Sequence, residues 1–222
     1  QATGLQQFMI QTFTWMALGL AITGSVALFT ASSETMLGII FSNTLVFYGL
    51  IIAELGLVIA FGVAMRKGAA PATLMAMFLG YSALNGLTLS VIFLVYTMAS
   101  IAQTFFIAAG MFGGMALFGY VTKKDLTGLG GFARMGVWGL ILAMVINMFL
   151  GSSMLSMMIS IIGVGVFTIL TAYDTQKLKA YYAANANDSR TLKSISLGGA
   201  LTLYLDFINL FLFLLRLLGN RR

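Results

Sequence analysis

The sequence predicts an all-α membrane protein of seven transmembrane helices, and three observations carry that prediction. Hydrophobic residues fill 60% of the 222 positions, charged residues only 8%, and the mean hydropathy is +1.00. A soluble domain carries about 25% charged residues, so this chain has too few to clothe a water-facing surface. Apolar stretches of about 20 residues, the length that spans ~30 Å of hydrocarbon, recur from end to end with short polar breaks. No long polar segment leaves room for a second domain, and residues 1–222 are expected to form a single transmembrane domain.

The spans read as residues 8–30, 44–65, 73–96, 102–122, 132–150, 155–178 and 194–218. The first lacks a basic n-region and a clear small-residue cleavage site, so it is expected to be retained, not removed as a signal peptide. Gln1 is not an initiator, and the natural chain is expected to begin upstream of it. Pro71 falls where the third span begins, a position that tolerates a missing N–H. The sixth span is expected to continue as helix past the membrane, because residues 174–184 contain neither proline nor glycine. The seventh is long enough to cross and has no breaker at its middle.

Orientation follows from the basic residues. The breaks after the second, fourth and sixth spans hold, in or beside them, Arg66, Lys67, Lys123, Lys124, Arg134, Lys177, Lys179, Arg190 and Lys193; the breaks after the first, third and fifth hold none. Nine against zero places the N-terminus in the cytoplasm by the positive-inside tendency. Strict alternation then puts Arg221 and Arg222 outside, against that tendency.

The net charge of +6 does not point to nucleic acid, since the basic residues are scattered over loops and form no single basic face. Without cysteine the chain has no disulfide, thiol redox chemistry or thiolate metal site, and without histidine it lacks the usual pH switch. Proton sensing must then use carboxylates. Among the 25 glycines, Gly110-x-x-Gly113 and Gly163-x-Gly165 are expected to let helices pack closely in lipid. Gly128-x-Gly130-Gly131 has no strand before it and no Gly-Lys-Ser/Thr after it, so it does not read as a phosphate loop.

Polar groups inside spans are the informative set. A carboxylate at the centre of a membrane helix costs roughly 2.5–3.5 kcal/mol on insertion scales, yet Glu54, Asp174 and Asp206 all lie within spans. Gly199, Thr202, Asp206, Asn209 and Arg216 recur at spacings of three, four and seven, which makes one stripe on the seventh helix. That stripe must face protein or water, which draws the helix toward the bundle centre. Tyr81, Asn85 and Thr88 form a second stripe on the third span. Glu54, Asn85, Thr202 and Asn209 are therefore candidate ion-path residues.

Ala172-Tyr173-Asp174-Thr-Gln-Lys, followed by Leu203-Tyr204-Leu205-Asp206-Phe207-Ile208-Asn209-Leu210-Phe211, resembles the signature of the transmembrane Bax inhibitor motif family. Met65-Arg66-Lys67, Gly86-Leu-Thr-Leu-Ser90 and Lys123-Lys124-Asp125-Leu126 extend the resemblance over nearly the whole chain. It implies two layers of three helices around a central C-terminal helix. It also implies a pH-sensitive calcium leak gated by the aspartate pair Asp174 and Asp206, with Arg66 as a latch onto that pair. No long proline-rich N-terminal tail is present, which favours a bacterial member in the inner membrane.

Two carboxyl groups within hydrogen-bonding distance share one proton and titrate as a unit. Calcium takes six to eight oxygen ligands; Asp174, Asp206, Glu54 and Asn209 are too few and too dispersed for a tight cage, so a weak, transient calcium contact at the aspartates is expected. Calcium enters here as permeant ion, and no cofactor is expected. The bland reading is that the two aspartates merely bond helices together with Arg66 as counter-ion. Two other functions remain open: a proton-coupled carrier, and a regulatory subunit that binds another membrane protein such as a quality-control protease. No enzyme is expected, because no convincing nucleophile–base pair exists.

Overall fold

A computed structural model describes residues 2–222. Among the described residues it consists of helices α1 (Ala2–Ala31), α2 (Glu34–Phe41), α3 (Thr44–Arg66), α4 (Pro71–Leu89), α5 (Ile92–Val95), α6 (Met98–Val121), α7 (Thr127–Leu150), α8 (Ser153–Asn185) and α9 (Ser189–Leu218), with no strand. Among the described residues, seven segments are long and apolar enough to cross a membrane, α4 and α5 together counting as one. The protein is an all-α, multi-pass membrane protein. Its large apolar side chains are exposed along several helices, Leu45, Ile52 and Ile59 on α3 and Trp138, Phe149 and Leu150 on α7 among them, as lipid-facing surfaces require.

Four differences from the expected elements have local causes. The break after α1 is not all loop: α2 forms there, capped by Ser33, whose side chain accepts the Met36 N–H. Eight residues are too few to register as a span. The third span is interrupted at Ser90 and Val91, where Ser90 Oγ donates to the Leu87 carbonyl. Hydroxyls bonded back to the preceding turn compete with the backbone ladder and bend a helix. Pro71 does begin α4, at its first turn.

The fifth span starts at Thr127, earlier than its glycine-rich first turn suggests. That turn is held from outside: Gln176 of α8 accepts the Leu126 N–H and donates to the Lys124 carbonyl. Asp125 Oδ1 accepts the Thr127 N–H, and the hydrogen bonds from Thr127 hold the Asp125 carboxyl below the usual range. The fourth difference concerns glycine. Gly110, Gly113 and Gly165 face open space, so their expected role in close packing is not met. Close approach falls instead to Gly119, where a Cβ would overlap the backbone carbonyl of Ala172, and to Gly130, where it would overlap the Tyr173 ring. Gly163 does lie against a neighbour, the Phe213 ring.

The chain packs as two compact units. Residues up to Tyr96, with Tyr182–Tyr204 and Arg222, form the first; Thr97–Tyr181 with Leu205–Arg221 form the second. In the first unit α1 packs along α4, and α4 along α3. In the second, Phe207 of α9 meets Phe105 and Phe112 of α6 edge-on. Helix α8 runs on to Asn185, as the absence of proline and glycine predicts. Its 33 residues measure about 50 Å at 1.5 Å per residue, well beyond the hydrocarbon thickness.

Asp188 then starts α9, accepting the Arg190 and Thr191 N–H groups. Its carboxyl, held below the usual range chiefly by the Thr191 hydrogen bonds, keeps this cap through mild acid. Helix α9 is continuous to Leu218, and its membrane window is the most buried, 61% against 6% for α3. Beyond it, the Thr97 N–H donates to the Asn220 carbonyl and the Arg222 N–H to the Val95 carbonyl. The C-terminal residues therefore meet the turn after the third span.

Candidate functional site

Asp174 on α8 and Asp206 on α9 belong to the second unit, and their carboxyl groups lie within electrostatic reach of each other. Two ionised carboxylates have no proton to donate, so a hydrogen bond between them requires one shared proton. Asp206 is 4% exposed and its Oδ2 has no protein partner. Asp174 is half-buried. The sequence of α8 fits it closely to its neighbours: Ala172 lies against Gly119 of α6 and Tyr173 against Gly130 of α7. Leu126, Ala172 and Tyr173 form a buried cluster backed by Met115. Asp174 thus follows directly after two residues that pack closely against neighbouring helices.

The cations within electrostatic reach of Asp174 are Lys177, one turn on along α8, and Arg134 of α7. Arg134 is fixed by an Nη2 donation to the Tyr173 hydroxyl at 2.7 Å, and its guanidinium lies 4.9 Å from that ring's centroid. Lys177 Nζ sits 5.3 Å from the Tyr181 centroid and 5.9 Å from that of Tyr173. Tyr173 therefore orients one cation by hydrogen bond and attracts both through its π face. Lys179 donates to the Tyr120 carbonyl of α6.

The remaining predicted residues lie elsewhere. Glu54 of α3 accepts from Thr88 of α4 at 2.7 Å. Asn85 is buried and donates to the Tyr204 hydroxyl at 2.8 Å. Thr202 is exposed and donates to the Gly198 carbonyl of its own helix, and half-buried Asn209 does likewise to Leu205. Arg66 closes the last turn of α3, exposed, in the first unit. Among the described residues no three acidic, histidine or cysteine side chains come together as a metal site. The aspartate pair could offer calcium two carboxyl groups in passing.

A buried polar chain in the first unit was not anticipated. Thr23 Oγ1 donates to the Ser82 carbonyl and lies 2.5 Å from the Tyr204 hydroxyl. Since the single Thr23 proton goes to Ser82, the Tyr204 hydroxyl must donate to Thr23 while accepting from Asn85. Asn85, Tyr204, Thr23 and Ser82 thus form a directed relay of hydrogen bonds around a tyrosine with no exposed surface. The Tyr81–Asn85–Thr88 stripe was its visible half; Thr23, a single hydroxyl in an apolar span, was the quieter signal. Arg134 was visible only as one more basic residue.

The sequence pattern of the family described as "Inhibitor of apoptosis-promoting Bax1" matches residues 5–222. The chain is similar to "Inner membrane protein YbhL" of Escherichia coli (strain K12), 51% identical over 220 residues covering 99% of this chain and 94% of that protein. It is also similar to an uncharacterized protein of Borreliella burgdorferi, 46% identical over 216 residues, 97% of this chain and 93% of that one. The protein RP147 of Rickettsia prowazekii is 45% identical over 221 residues, 99% of this chain and 92% of the relative.

Proposed function

The chain belongs to the Bax inhibitor-like family of membrane proteins, and from that premise we propose that it is a passive calcium leak whose opening is set by the proton on the Asp174–Asp206 pair. The observation that carries this reading is that two carboxyl groups on separate apolar helices, one of them buried, lie within electrostatic reach of each other. While the proton is held, it ties α8 to α9. Its loss sets two like charges against each other in a low-dielectric setting, where repulsion is strongest and water is drawn in. Calcium, the cargo, then meets carboxylate oxygens that bind it too weakly to retain it. Arg66 is proposed to latch onto the opened pair, favouring its charged form.

The same reading places the protein in a bacterial inner membrane with its N-terminus in the cytoplasm, and gives it no enzymatic step. Its test is calcium flux through the purified protein in liposomes between about pH 5 and 8, where a coupled carboxyl pair titrates. Wild-type protein should leak calcium with a pH response. Asp174→Asn and Asp206→Asn should each abolish that response, since an amide bonds its neighbour but cannot repel it, and the double variant should resemble either single one. Additive effects would mean that the two carboxyls titrate separately. No flux at any pH would leave a regulatory subunit as the better reading.

A further inference from the structure

Arg216 and Arg221 sit, with Arg222, at the C-terminal end of the chain, beside breaks that hold no basic residue. The first two share an open cleft of about 510 Å³ with the turn between α7 and α8, including Asn147, Ser152, Ser156 and Ser160. That turn holds no lysine or arginine, and neither does the turn after the third span to which the C-terminus is bonded. No acidic side chain lines the cleft. Two guanidinium groups placed against the positive-inside tendency, facing hydroxyls without a carboxylate, call for an anion.

Several polar groups around them are left free to donate, although the Ser160 hydroxyl gives its proton to the Ser156 carbonyl. Asn147 Oδ1 accepts the Ser152 N–H, which leaves its amide NH2 to donate. Ser152 Oγ accepts the Leu155 N–H and the Ser152 carbonyl accepts that of Ser156. The N–H groups of Ser153 and Met154, at the start of α8, remain for a ligand, where a helix N-terminus favours negative charge. Gly151, in the left-handed region at φ 61°, makes the sharp turn that brings α7 and α8 together here. Arginine's fork pairs with phosphate through two parallel hydrogen bonds. The cleft also has an apolar edge, lined by Met157 and Leu217, and the turn beside it carries exposed Phe149 (81%) and Met154 (68%).

We propose that this cleft binds a phosphate group, and that its apolar edge selects the headgroup phosphate of a membrane phospholipid. The cleft lies where two membrane-crossing helices end, the depth at which such headgroups lie. The test uses the full-length chain in detergent, with binding read by native mass spectrometry and by melting temperature. The probes are short-chain phosphatidylglycerol, inorganic phosphate, and diacylglycerol of matching chains. Phosphatidylglycerol should bind and raise the melting temperature, and diacylglycerol should do neither. Arg216→Gln with Arg221→Gln should weaken binding at least about tenfold, the expected loss of charge-assisted hydrogen bonds. Arg216→Lys with Arg221→Lys should fall between, because charge remains and the fork is lost. Both side chains are exposed, so melting without lipid should be unchanged. Inorganic phosphate binding as tightly as the lipid, with the same loss in the variants, would uphold the phosphate site and assign it a soluble anion. Equal lipid binding by the wild type and the double glutamine variant, or by diacylglycerol, would overturn the proposal.

Discussion

In the proposed leak, one proton between two carboxyl groups is the switch, and its set point would depend on every charge near it. Lys177 and Arg134 are within electrostatic reach of Asp174, and Arg134 is held in place by Tyr173. A fixed cation favours the ionised pair. Without it the pair keeps its proton to higher pH, and because the pair separates on losing that proton, opening should move to higher pH. Arg134→Gln should therefore raise the pH midpoint of calcium flux in liposomes. The effect should be a fraction of a unit to about one unit, as expected for a partly screened charge. Arg66→Ala should shift it in the same direction if Arg66 is the latch. An unchanged midpoint in folded Arg134→Gln would reduce this arginine to a brace for Tyr173; an unchanged midpoint in Arg66→Ala would leave that residue a topology signal alone.

At the scale of the elements, close packing of α8 on α6 and α7 is what holds Asp174 in register. The backbone of Ala172 lies so near Gly119 that a methyl group there would overlap its carbonyl. Gly119→Ala must push α8 away, at a cost of about 1–3 kcal/mol for an overpacked site. Its melting temperature in detergent should fall, and the pH response of flux should broaden as the carboxyl pair loses its fixed spacing. Gly113→Ala, on the same helix but facing open space, is the control and should do neither. Identical behaviour of the two variants would remove Gly119 from the argument. The contrast also shows what a sequence can tell. The seven spans were legible because an apolar run of a given length has one use in a membrane, and Asp174 and Asp206 stood out because charge there is costly. Which glycines touch a neighbour depends on the rotation of one helix against another, and a single helix's periodicity does not encode that. Tyr204 and Arg134 were hidden for the same reason: a tyrosine's partners and an arginine's neighbour lie on other helices. The interruption at Ser90 was written in the sequence, as the hydroxyl of that residue, but in a span that apolar length alone carried through.

For the molecule as a whole, the basic residues and the hydrogen bonds of the C-terminus make one joint statement about topology. Nine lysines and arginines accompany one set of breaks and none the other. The Asn220 N–H donates to Ser100 Oγ, and the Thr97 N–H to the Asn220 carbonyl, so Asn220 must share a side of the membrane with the turn after the third span. Ser100 is itself buried, which makes exposed Ala99 the better reporter of that turn. In protein carrying one cysteine at a time, Ser32→Cys, Ala99→Cys, Ser153→Cys and Asn220→Cys should react with an impermeant thiol reagent added outside intact cells. Thr127→Cys and Ser189→Cys, exposed beside basic breaks, should react only after the membrane is opened. Complete reversal would invert the orientation while keeping the fold. Labelling of Asn220→Cys together with Thr127→Cys, and apart from Ala99→Cys, would break the fold itself. It would require α9 to turn back within the membrane, against the backbone hydrogen bonds that tie its end to Val95 and Thr97.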